Sequence, residues 1–192
     1  MACARGPRPQ YAPHAHRRNP ETGIMLRLLF PRLTAARGDR LFDALVGEAR
    51  QVHWFTDGKV PDTLDGRFAV LATVLALAMV RLDRGGRAAR DLSVGLAEQF
   101  VDAIDAEHRQ MGVSDPGLGK KVRKLVSLLG RRVEEWRRAV ANEADWQDTT
   151  AASLYGGDAA FAPAGHSARA LRELWRRLDG ASDAALVEGI FG

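Results

Sequence analysis

One run of the chain limits its fold more than any other. FAVLATVLALAMV, Phe68 to Val80, holds thirteen residues without a charge and is closed by Arg67 and Arg81. A bilayer span needs about 20 such residues, so the run predicts a buried core helix rather than a membrane crossing. The rest of the composition agrees. Apolar residues make up 46% of the 192, yet only seven are Phe, four Trp and two Tyr. The core must rest on Leu, Val and Ala, and Leu and Ala favour helices. A chain of this length accommodates one domain with extensions.

Helical spacing recurs on both sides of the run. From Arg40, the residues Leu41, Phe42, Leu45, Val46, Ala49 and Val52 predict a helix that fades at HWFTDGK, where Asp57-Gly58 signals a turn. Pro61 and Asp62 open the next helix, with Asp62 as the expected cap and Asp65 three residues on. It runs to about Arg84, and Gly85-Gly86 ends it. A third helix covers 88–111 on a stripe of Leu92, Leu96, Phe100 and Ile104, continuing through His108 to Met111. Gly112 stops it, and a loop follows at 114–117. A fourth covers 119–142 on Val122, Leu125, Val126, Leu129, Val133, Trp136 and Val140. Shorter helices are expected at 146–155 and 167–178, and a final turn or helix at 183–191. No strand pattern, internal repeat or heptad array stands out. The expected fold is therefore an all-α, single-domain helical bundle.

The charge is unevenly placed. The formal net charge is +4 and the isoelectric point about 9.7, which points to nucleic acid at first reading. Residues 1–24 carry Arg5, Arg8, Arg17 and Arg18 against Glu21 alone, a net of +3, which leaves +1 for residues 25–192. Residues 1–24 also hold four of the eight prolines and show no periodicity, so they read as a disordered tail, with Met25 as the natural start of the domain. Cys3, the one cysteine, lies in that tail, so the domain can form no internal disulfide. No secretory signal is visible: the apolar stretch at 24–30 is broken by Arg27 and no small-residue cleavage site follows.

Few constellations carry chemistry. Asp102, Asp105 and His108, with Glu98 one turn earlier, have helical metal-ligand spacing. His108 also continues the apolar stripe, and no second carboxylate–histidine helix completes a site, so it reads as a core or boundary histidine. No nucleophile elbow occurs, and GLGKK at 117–121 lacks the Lys-Ser/Thr order of a phosphate loop. No catalytic residue, metal or cofactor is expected. A more informative feature is the basic helix start: Lys120, Lys121, Arg123, Lys124, Arg131 and Arg132 precede the first acids, Glu134 and Glu135. Cations in a first turn oppose the helix dipole, so a structural helix gains nothing from them there. They suit docking to something acidic, whether RNA, anionic lipid or a protein. A second polar group joins Asp65, Gly66 and Arg67 with Asp102, Asp105 and Arg109, which lie one turn apart on the third helix. A bundle can bring the two sets together, with Gly66 letting a neighbouring helix approach closely. Such a cluster is either an ion-pair network or a binding surface.

Read in order, VPDTLDGRF, DAIDAEHRQMGVSD, GKKVRKL and then Gly130-Arg131 resemble the ubiquinol–cytochrome c chaperone family. Order and spacing hold across residues 60–131, with looser similarity from Met25 to the terminal GIFG. The chain departs from the family pattern at His108, at Gln110 and at Leu128-Leu129. The resemblance implies an all-α, non-enzymatic assembly factor for the cytochrome bc1 complex that holds newly made cytochrome b or another bc1 subunit. It also implies a small partner subunit, contact with the ribosome and no DNA partner. On this reading Asp65, Gly66, Arg67, Asp102, Asp105, Arg109, Lys120, Lys121, Arg123, Lys124 and Arg131 form the client or partner surface. The Ala- and Gly-rich composition suggests a GC-rich bacterium, which places the protein in the cytoplasm at the inner membrane; a eukaryotic member would sit in the mitochondrial matrix. The alternative is an all-α RNA- or ribosome-binding protein that uses the 120–132 helix.

Overall fold

A computed structural model describes residues 35–110, 118–142, 145–156 and 164–192. Among them are eight helices and no strand: α1 (Ala35–Ala49), α2 (His53–Thr56), α3 (Leu64–Asp83), α4 (Arg87–Gln110), α5 (Leu118–Ala141), α6 (Trp146–Tyr155), α7 (Ala164–Gly180) and α8 (Asp183–Val187). The expected all-α bundle is what forms, and the expected helix bounds agree to within a few residues. The tail at 1–24, the start at Met25, the stop at Gly112 and the loop at 114–117 lie outside the described residues.

The apolar run becomes the centre of the bundle. Val70, the whole stretch 72–78, Val80 and Leu82 are buried. A helix apolar on every side has to be enclosed, and α3 packs against α1, α4, α5, α6 and α7. Thr73 is the one hydroxyl in its middle, and its Oγ1 donates to the Ala69 carbonyl at 2.7 Å, so that hydroxyl is not stranded. None of the helices among the described residues is long and apolar enough to cross a membrane.

Around α3 the flanking helices bury one stripe each: Leu41 and Leu45 from α1, Leu92, Leu96 and Phe100 from α4, and Leu171, Leu174 and Leu178 from α7. The few large aromatics join elements. Trp136 of α5 meets Trp146 of α6 edge to face at 5.1 Å, and its Nε1 donates to Ser153 Oγ at 3.1 Å. The Trp54 Nε1 donates to the Glu48 carbonyl at 2.9 Å and ties α2 to the end of α1.

Two polar staples close the bundle. Asp183 at the start of α8 accepts from the Gly86 backbone N–H at 2.9 Å and from Arg81 at 3.1 Å, while Arg81 also donates to the Ala181 carbonyl at 2.6 Å. The α3–α4 turn is thereby fixed to the C-terminal segment. At the chain end the expected turn or helix at 183–191 is helical to Val187, and Gly189 then takes φ +74° and turns the chain over α1. A Cβ at Gly189 would lie 2.6 Å from the Arg40 carbonyl oxygen. That turn delivers Phe191 into the core, where the Arg177 guanidinium covers its ring.

Candidate functional site

The start of α3 is built by the residues just before it. Thr63, with φ −116° and ψ 168°, is the N-cap, and its Oγ1 accepts the Gly66 N–H at 3.2 Å. Asp62, expected to cap, does not: its carboxylate accepts from Arg67 Nε at 2.7 Å on the surface. That hydrogen bond holds the Asp62 carboxyl below its usual pKa. The cap shifts because Thr63 has the extended backbone a cap needs, while Asp62 lies one residue too early. Asp65 is exposed in the first turn, where its charge suits the helix dipole.

Gly66 is required, but not for a neighbouring helix. Its added Cβ would stand 1.9 Å from the Pro61 carbonyl oxygen and 3.0 Å from the Pro61 carbonyl carbon. The close approach comes from the chain's own Val60–Pro61 segment, which folds back across the first turn of α3. That path is anchored by Val60, which is buried and whose N–H donates to the Trp54 carbonyl at 3.0 Å. The VPDTLDGR stretch is thus one compact corner that joins α2 to the central helix.

The second polar set comes from α4. A three-residue turn joins α3 and α4, so the helices run antiparallel. Arg67 and Asp102 each lie about 25 Å from that turn at 1.5 Å per residue, at one end of the hairpin. Asp102 is exposed there. Asp105, His108 and Arg109 lie within α4, but their side chains fall outside the described residues, as do those of Lys120 and Lys121 in α5.

The basic helix divides into two halves with different surroundings. From Leu129 on, α5 is held against the core by Leu129, Val133, Trp136 and Ala139. Before that, Arg123, Lys124, Val126 and Ser127 are exposed, and Val126 continues the buried stripe into solvent at 47% exposure. Arg131 is exposed as well. Arg132 is not part of that face. It turns inward and donates to the Ala69 carbonyl at 2.9 Å and to Thr73 Oγ1 at 3.2 Å. Burial lowers the pKa of its guanidinium. One basic run in the sequence thus serves two purposes, an inward brace at Arg132 and an outward cationic edge at Arg123, Lys124 and Arg131.

Two clusters have no signature in the sequence. His53 Nδ1 lies 3.2 Å from His166 Nε2, across 113 residues of chain. Beside them Glu48, almost fully buried, accepts from Arg177 at 2.8 Å and from Gln51 Nε2 at 2.9 Å. Neither pair follows a local spacing, so only the docking of α7 onto α1 and α2 creates them.

The ubiquinol-cytochrome C chaperone family matches residues 56–191. The fold is similar to that in the crystal structure of the Cbp3 homolog from Brucella abortus, with a TM-score of 0.72 over 88% of this chain and 93% of that one, at 23% sequence identity. No curated protein sequence matches the chain. The family match spans the DGR corner, the central helix, the basic helix and the terminal segment together, and on that ground the chain belongs to the ubiquinol-cytochrome C chaperone family.

Proposed function

We propose that this protein is a non-enzymatic assembly chaperone for the cytochrome bc1 complex and that it holds newly made cytochrome b. The observation that carries the reading is the exposed cationic edge of α5, Arg123, Lys124 and Arg131, beside Val126, an apolar residue of the same helix that is also exposed. A basic edge beside an apolar strip suits a membrane-protein client, whose helices are apolar and whose cytoplasmic loops and lipid surroundings carry charge. The DGR corner with Asp65, Gly66 and Arg67, the α4 residues Asp102, Asp105 and Arg109, and the α5 residues Lys120, Lys121, Arg123, Lys124 and Arg131 would form the client or partner surface. Asp65, Arg67 and Asp102 are exposed at one end of the α3–α4 hairpin, as this role requires. Gly66 contributes by shaping the corner rather than by contact. The protein would act in the cytoplasm at the inner membrane of a bacterium, with a small partner subunit or the ribosome as further contacts.

The test is affinity purification of the full chain from a respiring host, with and without Arg123→Glu and Lys124→Glu. Cytochrome b should co-purify with the wild type and be depleted with the variant, and assembled bc1 complex should fall in parallel. Normal bc1 levels in a host lacking the protein would reject the reading. The exposed cations at Arg123, Lys124 and Arg131 also favour a second reading, an RNA- or ribosome-binding helix. That reading requires affinity to fall steeply with salt, whereas apolar client capture weakens little.

A further inference from the structure

A cleft of about 570 Å³ opens between α2 and α7. His53 and His166 stand at one end, and α7 lines the wall with Arg169, Arg172, Glu173 and Arg176. Positions 166, 169, 173 and 176 follow helical spacing, so one face of α7 presents them in a row. Glu173 is the one carboxylate in the lining among the described residues, and Arg176 engages it at 3.2 Å. Arg169 is exposed, and among the described residues no carboxylate lies within ion-pair distance of it. The other acids near His53 are Glu48, from α1, and Asp57, just after α2. Glu48 is already held by Arg177 at 2.8 Å. Among the described residues that line it, Arg169 and Arg176 face Glu173, so cations outnumber carboxylates, with hydrogen-bond donors on two walls.

We propose that this cleft binds a phosphate-type oxyanion, with Arg169 and Arg176 as guanidinium donors and the His53–His166 pair as proton-sharing donors. Guanidinium forks match such oxygens in a planar, two-point fashion. The imidazole pair also has about the nitrogen spacing of two ligands on one tetrahedral zinc, given Zn–N bonds of about 2.0–2.1 Å. Charge decides against the cation: a metal would enter beside Arg169 and Arg176, next to a carboxylate that Arg176 already holds. Burial first, and His166 beside it, lower the His53 pKa, which favours the neutral imidazole of His53 in the empty cleft. An anion in the cleft would favour the protonated form and draw a proton in.

The experiment is calorimetric titration of the full chain with inorganic phosphate and pyrophosphate at about pH 8, and with sulfate, which keeps its charge, at about pH 6 and about pH 8 at fixed ionic strength. Saturable binding is expected, and for sulfate it should be tighter at the lower pH by up to about tenfold per pH unit for one linked proton. Arg169→Gln and Arg176→Gln, both at exposed positions, should each weaken it about tenfold, as loss of a charged hydrogen bond does, with an unchanged melting temperature. His166→Gln should flatten the pH dependence. A parallel arm uses phosphatidylglycerol vesicles against phosphatidylcholine vesicles. Phosphate-competed, Arg169-dependent vesicle binding supports the site and names a lipid headgroup as the source; phosphate binding without vesicle binding supports it and names a free anion. No saturable binding of phosphate or of sulfate, or equal binding by Arg169→Gln and wild type, overturns the proposal. So does tight zinc binding that is lost in His166→Gln while phosphate binding is not.

Discussion

Gly66 shows how a single missing side chain can set a local path. Alanine in place of a helical glycine gains roughly 1 kcal/mol from propensity. Here the added methyl would stand 1.9 Å from a backbone carbonyl oxygen, which cannot swing aside as a side chain would. Overpacking of this kind costs about 1–3 kcal/mol, so Gly66→Ala is expected to lower the melting temperature of the whole domain. An unchanged or raised melting temperature would show that the corner relaxes freely. Arg67→Ala provides the contrast, because Arg67 and Asp62 form an exposed pair. Such pairs contribute about 0–1 kcal/mol, so this variant should melt close to wild type while lowering assembled bc1 complex if the corner meets the client. The sequence announces that glycine is needed at 66. It could not say what approaches, because the fold-back of Val60–Pro61 depends on Val60 being buried and on the Trp54 carbonyl being in reach, both tertiary facts.

At the scale of elements, legibility follows the range of the interaction. The central helix, the α4 stripe and the second half of α5 were readable because their apolar spacing is local, and core burial then follows from enclosure of an all-apolar helix. The split of α5 was not readable. Its stripe continues without a break from Leu129 back to Val126, so only the packing tells that Leu129 is buried and Val126 exposed. Arg131 and Arg132 likewise look alike in sequence, and only the facing Ala69 carbonyl separates them. The same holds for Asp183, whose partners sit near the far end of α3. The Gly86 N–H first, then Arg81, hold the Asp183 carboxyl below its usual pKa. The unfolded chain therefore takes up a proton at Asp183 before the folded one does as pH falls. Its stabilisation is complete above about pH 5 and fades as pH drops through the folded value. Asp183→Asn should cost about 1 kcal/mol at neutral pH and lose less stability than wild type between about pH 5 and pH 3. Thermal melts at both ends of that range check the sign, and parallel acid limbs for the two proteins would contradict it.

At the scale of the whole molecule, folding and docking fall on different parts of the surface, and that separation can be measured. The core runs from Leu41 to Phe191 and takes nothing from the outward side of the first half of α5, where Arg123 and Lys124 are exposed. Cations in that first half oppose the helix dipole at a few tenths of a kcal/mol each, roughly. Reversing Lys120, Arg123 and Lys124 to Glu should therefore leave the melting temperature unchanged or slightly raised, since acids suit a helix start. If the same cations guide an acidic partner, reversal should slow association most at low salt, because exposed charges act mainly through encounter and are screened within about 10 Å at 0.1 M. The apolar strip at Val126 should instead govern how long the complex lasts, so Val126→Ser should raise the dissociation rate with little salt dependence. A solvated helix with no docking role predicts neither effect. Binding kinetics of the charge-reversed and Val126→Ser chains, measured on detergent-solubilised bc1 subunits at two salt concentrations, separate these cases. Identical rates for wild type and both variants would remove α5 from the client surface while leaving the fold as described.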